Sequence, residues 1–115
     1  MEAETKRKQI SKYEELANNA TLPSSERASY ATKAKAAENE LVLIMEDTTK
    51  YMSDTKTNVA LGSEGYQVLQ EISLGVNAIK DTEALNAAKT KMATVLKTTK
   101  NTGLSAGLNP ILLRK

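Results

Sequence analysis

Several residue types are absent from this 115-residue sequence or scarce in it, and each absence narrows the range of functions. There is no cysteine, which excludes a disulfide framework and thiol chemistry. There is no histidine, which removes the commonest general base and metal ligand at neutral pH. Phenylalanine and tryptophan are missing and tyrosine occurs four times, so the core must consist of aliphatic side chains, methionine and alanine. We therefore expect a modestly stable fold that gains from association with neighbouring subunits.

Long apolar runs and sequence motifs of known chemistry are also missing. No apolar run exceeds five residues, and the charged N-terminus leads into no apolar segment. We therefore expect a soluble protein with no signal peptide, no membrane-spanning helix and no membrane partner. The sequence contains neither GxxxxGK[ST] nor GxGxxG, the two patterns typical of nucleotide sites. The absence of cysteine fits every cellular compartment and excludes none.

The acidic residues form close pairs whose spacing does not favour a metal site. The three pairs are Glu14/Glu15, Glu38/Glu40 and Glu46/Asp47. Side chains one or two positions apart on a helix do not face one another, so the two carboxylates of a pair do not converge on one metal ion. We interpret all three pairs as helix surface. The sequence thus predicts no catalytic residue, no cofactor, no metal site and no small-molecule substrate, and we expect a protein that is not an enzyme.

Apolar side chains recur at spacings of three and four along most of the chain, which predicts an all-α fold. Breaks at Pro23 and Gly62, and a candidate N-cap at Asp81, separate the periodic segments. Residues 1–103 are predicted to form a single domain, either a helical bundle or an extended helical hairpin with one long central helix. About four helices are expected, near residues 3–20, 24–59, 64–80 and 82–101.

The long second helix carries the strongest apolar stripe. Four of its members are predicted to lie in the core or at an interface: Tyr30, Leu41, Ile44 and Tyr51. In the third helix, Gly75 is either a tolerated glycine or the site of a close helix–helix approach.

The last twelve residues, 104–115, are too apolar for a free tail and are predicted to be a docking arm. Its large aliphatic side chains are the predicted partner contacts: Leu104, Leu108, Ile111, Leu112 and Leu113. Gly107 and the Asn109-Pro110 pair are expected to prevent the arm from continuing the fourth helix. The arm could fold over its own helices or insert into a neighbouring subunit or partner, and the second alternative is favoured.

Charge is distributed unevenly along the chain. Residues 1–83 contain every acidic residue, whereas residues 84–115 contain six basic residues and no acid. These basic side chains could be a solvated surface, contact an acidic protein surface, or contact nucleic acid. The candidate anion or nucleic-acid contacts are Lys89, Lys97 and Lys100.

Composition favours a structural role. This sequence is rich in Ala, Thr, Lys and Asn and poor in aromatic residues. In composition it is broadly similar to axial subunits of flagella and secretion needles and to small helical virion proteins. The first hypothesis is therefore an assembly subunit that associates with copies of itself or docks into a larger particle, such as a virus or phage particle or a secretion apparatus. The alternatives are a nucleic-acid-associated module that uses the basic C-terminal third, and an adaptor or chaperone that binds a helical partner.

Overall fold

The computed structural model describes residues 2–54, 63–99 and 102–113. In these ranges the chain forms five α-helices and no β-strand, which confirms the all-α class. The helices are α1 (Glu2–Ala17), α2 (Ser24–Asp54), α3 (Ser63–Ala78), α4 (Thr82–Thr98) and α5 (Thr102–Leu112). The prediction of about four helices is wrong, because the predicted arm forms α5.

Polar side chains set two of the helix boundaries. Helix α1 ends at Ala17 and not near residue 20, because the Asn18 side chain caps the Glu14 carbonyl and Asn19 accepts hydrogen bonds from Thr21. Helix α4 begins where predicted, since the Asp81 carboxylate accepts a 2.9 Å hydrogen bond from the Ala84 backbone N–H. The predicted end of the second helix, residues 55–59, lies outside the described residues.

Helix α5 contains Pro110 in its last turn, and it is separate from α4, as the Asn109-Pro110 pair and Gly107 predicted. Leu104, Leu108 and Ile111 are spaced by four and three residues, so a helix places all three on one side. All three are buried against the same chain. The free energy gained by burying them exceeds the cost of the one backbone hydrogen bond that Pro110 cannot donate. That cost is small because Pro110 lies close to the end of the helix.

Helix α2 is the longest described helix, and its neighbours change along its length. Its 31 residues extend about 46 Å, most of the 53 Å length of the molecule. Helix α1 runs antiparallel to its first half, with the Tyr13 and Tyr30 rings 6.2 Å apart and an ion pair between Lys6 and Glu40. Helix α2 also packs on α3 and α4, and α5 packs on α3 and α4.

The core lies where α2, α3, α4 and α5 meet, and it includes Ala3 and Ile10 of α1. Its largest fully buried apolar side chains are Ile10, Leu41, Met45, Ile72, Met92, Leu104 and Leu108. None of them is aromatic, as the composition required. Thr49 is buried among them and donates a 2.7 Å hydrogen bond from its hydroxyl to the Met45 carbonyl.

The buried side of α2 shifts by about one residue in the second half of the helix. The predicted stripe continued from Leu41 to Ile44 and Tyr51, whereas the structure buries Leu41, Met45 and Met52. The predicted stripe repeats every 3.5 residues, whereas a straight α-helix has 3.6 residues per turn. The stripe therefore winds slowly around α2 and does not stay on one face of the helix. The partner of α2 also changes, from α1 to α3 and α4.

Candidate functional site

The second half of α2 carries two large apolar side chains that face solvent. Leu43 is 54% exposed and Tyr51 is 62% exposed, and the exposed Asp47 lies between them at four-residue spacing. We call Leu43, Asp47 and Tyr51 the outer patch. Ile44 lies beside this patch and is partly buried against the core. Tyr51 is therefore outside the core, and only its predicted interface role remains open.

The other predicted stripe residues lie inside the fold. Leu41 is fully buried. Tyr30 is half-buried between α1 and α2, where its ring stacks on that of Tyr13. The Lys33 ammonium lies 5.3 Å from the centre of the Tyr30 ring. Both residues therefore stabilise the packing of this chain on itself.

The structure divides the predicted partner contacts of the C-terminal segment. Leu104 and Leu108 are fully buried and Ile111 is nearly so, which leaves these three inaccessible to a partner in this conformation. Leu112 is half-buried, whereas Leu113 is 82% exposed. Leu112 and Leu113 line a shallow groove of about 390 Å³ between α4 and α5, together with Lys89, Thr90, Ala93 and Asn109.

The basic residues of the C-terminal third do not form one patch. Lys89 lines the groove between α4 and α5, and the exposed Lys97 lies two turns further along α4, about 12 Å away. Lys91 points to the other side of α4, where its ammonium lies 4.0 Å from the Glu46 carboxylate of α2. Lys100 lies outside the described residues. The two described members of the predicted anion contacts are thus separated along α4 and by about 80° around its axis.

A buried carboxylate on α2 was missed by the sequence analysis. Glu38 is only 3% exposed, so the interpretation of the Glu38/Glu40 pair as helix surface is wrong for Glu38. Its oxygens accept hydrogen bonds from the backbone N–H groups of Lys80 (3.1 Å) and Asp81 (3.3 Å) in the link between α3 and α4. Position 38 follows Ala34 by four residues and precedes Leu41 by three, so the helical period already placed it on the buried side.

A second carboxylate, Glu14 of α1, lies beside Glu38. Both line a cavity of about 490 Å³, with Lys35, Lys80 and Asp81 on its walls. Partial burial raises the pKa of the Glu14 carboxyl above its ordinary value of 4.5, and the neighbouring Glu38 carboxylate raises it further. The Lys80 ammonium acts in the opposite direction. We call Glu14, Glu38 and the Lys80-Asp81 backbone the carboxylate junction.

Two absences among the described residues bear on other classes of function. No cluster of three or more acidic side chains in residues 2–54, 63–99 and 102–113 is placed to hold a metal ion. No described helix has both the length and the apolar character needed to cross a membrane.

Comparison of this chain with protein-family models, with curated proteins and with solved structures gave no match. The functional interpretation therefore depends on the residues and their geometry.

Proposed function

We propose that this chain is a non-enzymatic assembly subunit that packs against copies of itself through the second half of α2. The observation that carries this proposal is the outer patch, where Leu43 and Tyr51 expose more than half of their side chains on one side of a helix. Exposed apolar side chains are common one at a time, whereas apolar side chains grouped on a surface mark candidate interaction sites.

The surface area of the chain supports association. The chain exposes 7118 Å², whereas a compact protein of 12.5 kDa exposes about 6,200 Å². The difference reflects the elongated shape of the subunit, whose extents are 53, 24 and 19 Å. An elongated subunit with a core free of Phe and Trp gains stability when a neighbour covers that surface.

The exposed end of α5 offers a second contact for the same assembly. Leu113 and the half-buried Leu112 border the groove between α4 and α5, on a different helix pair from the outer patch. Two different surfaces on one subunit permit a head-to-tail contact, which builds rings or open filaments. In this proposal α5 docks on its own chain and presents only its last residues to a neighbour.

The molar mass in solution tests this proposal. We expect wild-type protein to exceed the monomer mass in sedimentation equilibrium as its concentration rises, and to remain associated at high salt, because apolar burial drives the contact. A Leu43→Ser/Tyr51→Ser chain should sediment as a monomer with unchanged helicity. Leu74→Ser is the matched control, since Leu74 is an exposed leucine on α3, outside the patch.

Two results would contradict the proposal. One is a wild-type protein that is monomeric at every concentration, and the other is association that the double variant leaves intact. Association that appears only when nucleic acid is added, and that high salt abolishes, would favour the nucleic-acid-binding alternative.

A further inference from the structure

The carboxylate junction connects three parts of the fold that are distant in sequence. Glu14 comes from α1, Glu38 from α2, and Lys80 and Asp81 from the link between α3 and α4. Apart from its helix-packing contacts, α2 holds this link through the Glu38 carboxylate, which accepts one backbone N–H at each oxygen. Asp81 in turn caps the first turn of α4. The Glu38 carboxylate therefore connects α2 to the segment that caps α4.

We propose that Glu14 and Glu38 form a pH-dependent latch that fastens α1 to the α3–α4 link, closed at acidic pH and loosened at neutral pH. This device is independent of the assembly proposed above, because none of its groups belongs to the outer patch or to α5.

Proton chemistry at the junction gives the direction of the effect. Protonated Glu14 can donate its O–H to a Glu38 oxygen while both Glu38 oxygens keep their backbone donors. Ionised Glu14 has no proton to donate and repels the Glu38 carboxylate across the open cleft that both residues line. The hydrogen bond between the two side chains then gives way to repulsion between α1 and the rest of the junction.

The charged groups around Glu14 moderate this effect without reversing it. Lys35 of α2 and Lys80 of the link lie on the walls of the same cavity and attract an ionised Glu14, whereas Asp81 repels it. Arg7 of α1 lines the neighbouring groove with Glu14, and its guanidinium is held by Glu71 of α3 at 2.9 Å. The net result is the raised pKa of Glu14, with burial as its largest cause.

The sign of the linkage follows from that shift. Because the pKa of Glu14 is higher in the folded chain than in the unfolded chain, its contribution to stability is fully present below the ordinary value of 4.5. The contribution is lost as the pH rises through the raised pKa. A pH increase from acidic to neutral should therefore loosen the latch.

The test follows the two amides that Glu38 holds. Backbone amide NMR shifts of Lys80 and Asp81 would be recorded from acidic to neutral pH in the full chain. We expect both signals to titrate with a midpoint above 4.5. Glu14→Gln should abolish that transition, because glutamine does not ionise. Glu15→Gln should retain it, since Glu15 is the adjacent exposed carboxylate on the same helix.

Unfolding gives a second and independent measurement. At neutral pH the urea midpoint of Glu14→Gln should lie above that of Glu15→Gln, and the two midpoints should converge at acidic pH. The proposal is overturned if the amide titration persists unchanged in Glu14→Gln. It is also overturned if that variant unfolds more easily than Glu15→Gln at neutral pH.

Discussion

The Met45 side chain of α2 lies directly over Gly75 of α3, and a Cβ atom placed on Gly75 would lie 2.5 Å from the Met45 Sδ. Of the two interpretations of this glycine, close helix approach is therefore the one that the structure supports. Met45 is 1% exposed, so it cannot swing into solvent to make room. The missing side chain at position 75 is what allows α2 and α3 to pack at this point.

Gly75→Ala should destabilise the fold, although alanine is the better helix former. The substitution gains about 1 kcal/mol in helix propensity and forces an overpacked contact that costs about 1–3 kcal/mol. We expect a net loss of roughly 1 kcal/mol in urea unfolding.

Gly107→Ala is the matched control for that substitution. A Cβ there would also approach a side chain, the Leu69 Cδ1 at 2.5 Å, but Leu69 is only partly buried and can rotate away. Its unfolding free energy should change by less than that of Gly75→Ala. Equal losses for the two variants would contradict the Met45 contact as the cause.

Leu108 of α5 and Leu113, which follows the helix, should respond differently to shortening of their side chains. Leu108→Ala removes a fully buried side chain and should cost about 2–5 kcal/mol. Leu113→Ala removes an exposed one and should change stability by less than about 0.5 kcal/mol.

Deletion of residues 104–115 should lower the melting temperature of the remaining chain, as expected for a segment docked on its own helices. An unchanged melting temperature after the deletion would instead support the prediction that the segment docks on a partner.

Aspartate scanning along α2 tests the shifted stripe. Leu41→Asp buries an unpaired carboxylate at a fully buried position and should cost several kcal/mol, enough to unfold a small domain. Ile44→Asp should cost less, because its side chain is only partly buried and the new carboxylate can reach water. Melting temperatures measured by circular dichroism show which of the two variants loses more stability. Equal melting temperatures would show that the core of α2 lies elsewhere.

The lysines of the C-terminal third should contribute little to stability. Replacing Lys89, Lys97 and Lys100 together with glutamine should change the unfolding free energy by less than about 1 kcal/mol, as is usual for surface charges. The same triple variant should assemble as wild type does. A steep loss of affinity for DNA or RNA in this variant would instead support the nucleic-acid-binding alternative.

Sequence periodicity was sufficient for helices α1 to α4 and for much of the core, because both depend on local spacing. Leu41 and the Asp81 cap could be identified in this way. The end of α1 was harder to place, since the Asn18 and Asn19 side chains compete with the helix over a few residues only.

Features that depend on tertiary contacts could not be predicted from the sequence. No helix was predicted in residues 104–115, yet burial of Leu104 and Leu108 stabilises a helix that contains both Gly107 and Pro110. Glu38 was assigned to the surface by its charge, although its helical position lies on the buried side. Its partners are backbone amides more than forty residues away, and residue type carries no information about such donors.

The central claim, that copies of this chain meet at the outer patch, can be tested most directly with a spin label. The sequence has no cysteine, so Leu43→Cys and, as a control on the exposed face of α1, Glu15→Cys each give a single labelling site. The account predicts that rising protein concentration immobilises the label at position 43 and leaves the label at position 15 mobile. A label at position 43 that stays as mobile as the control while the protein associates would contradict it.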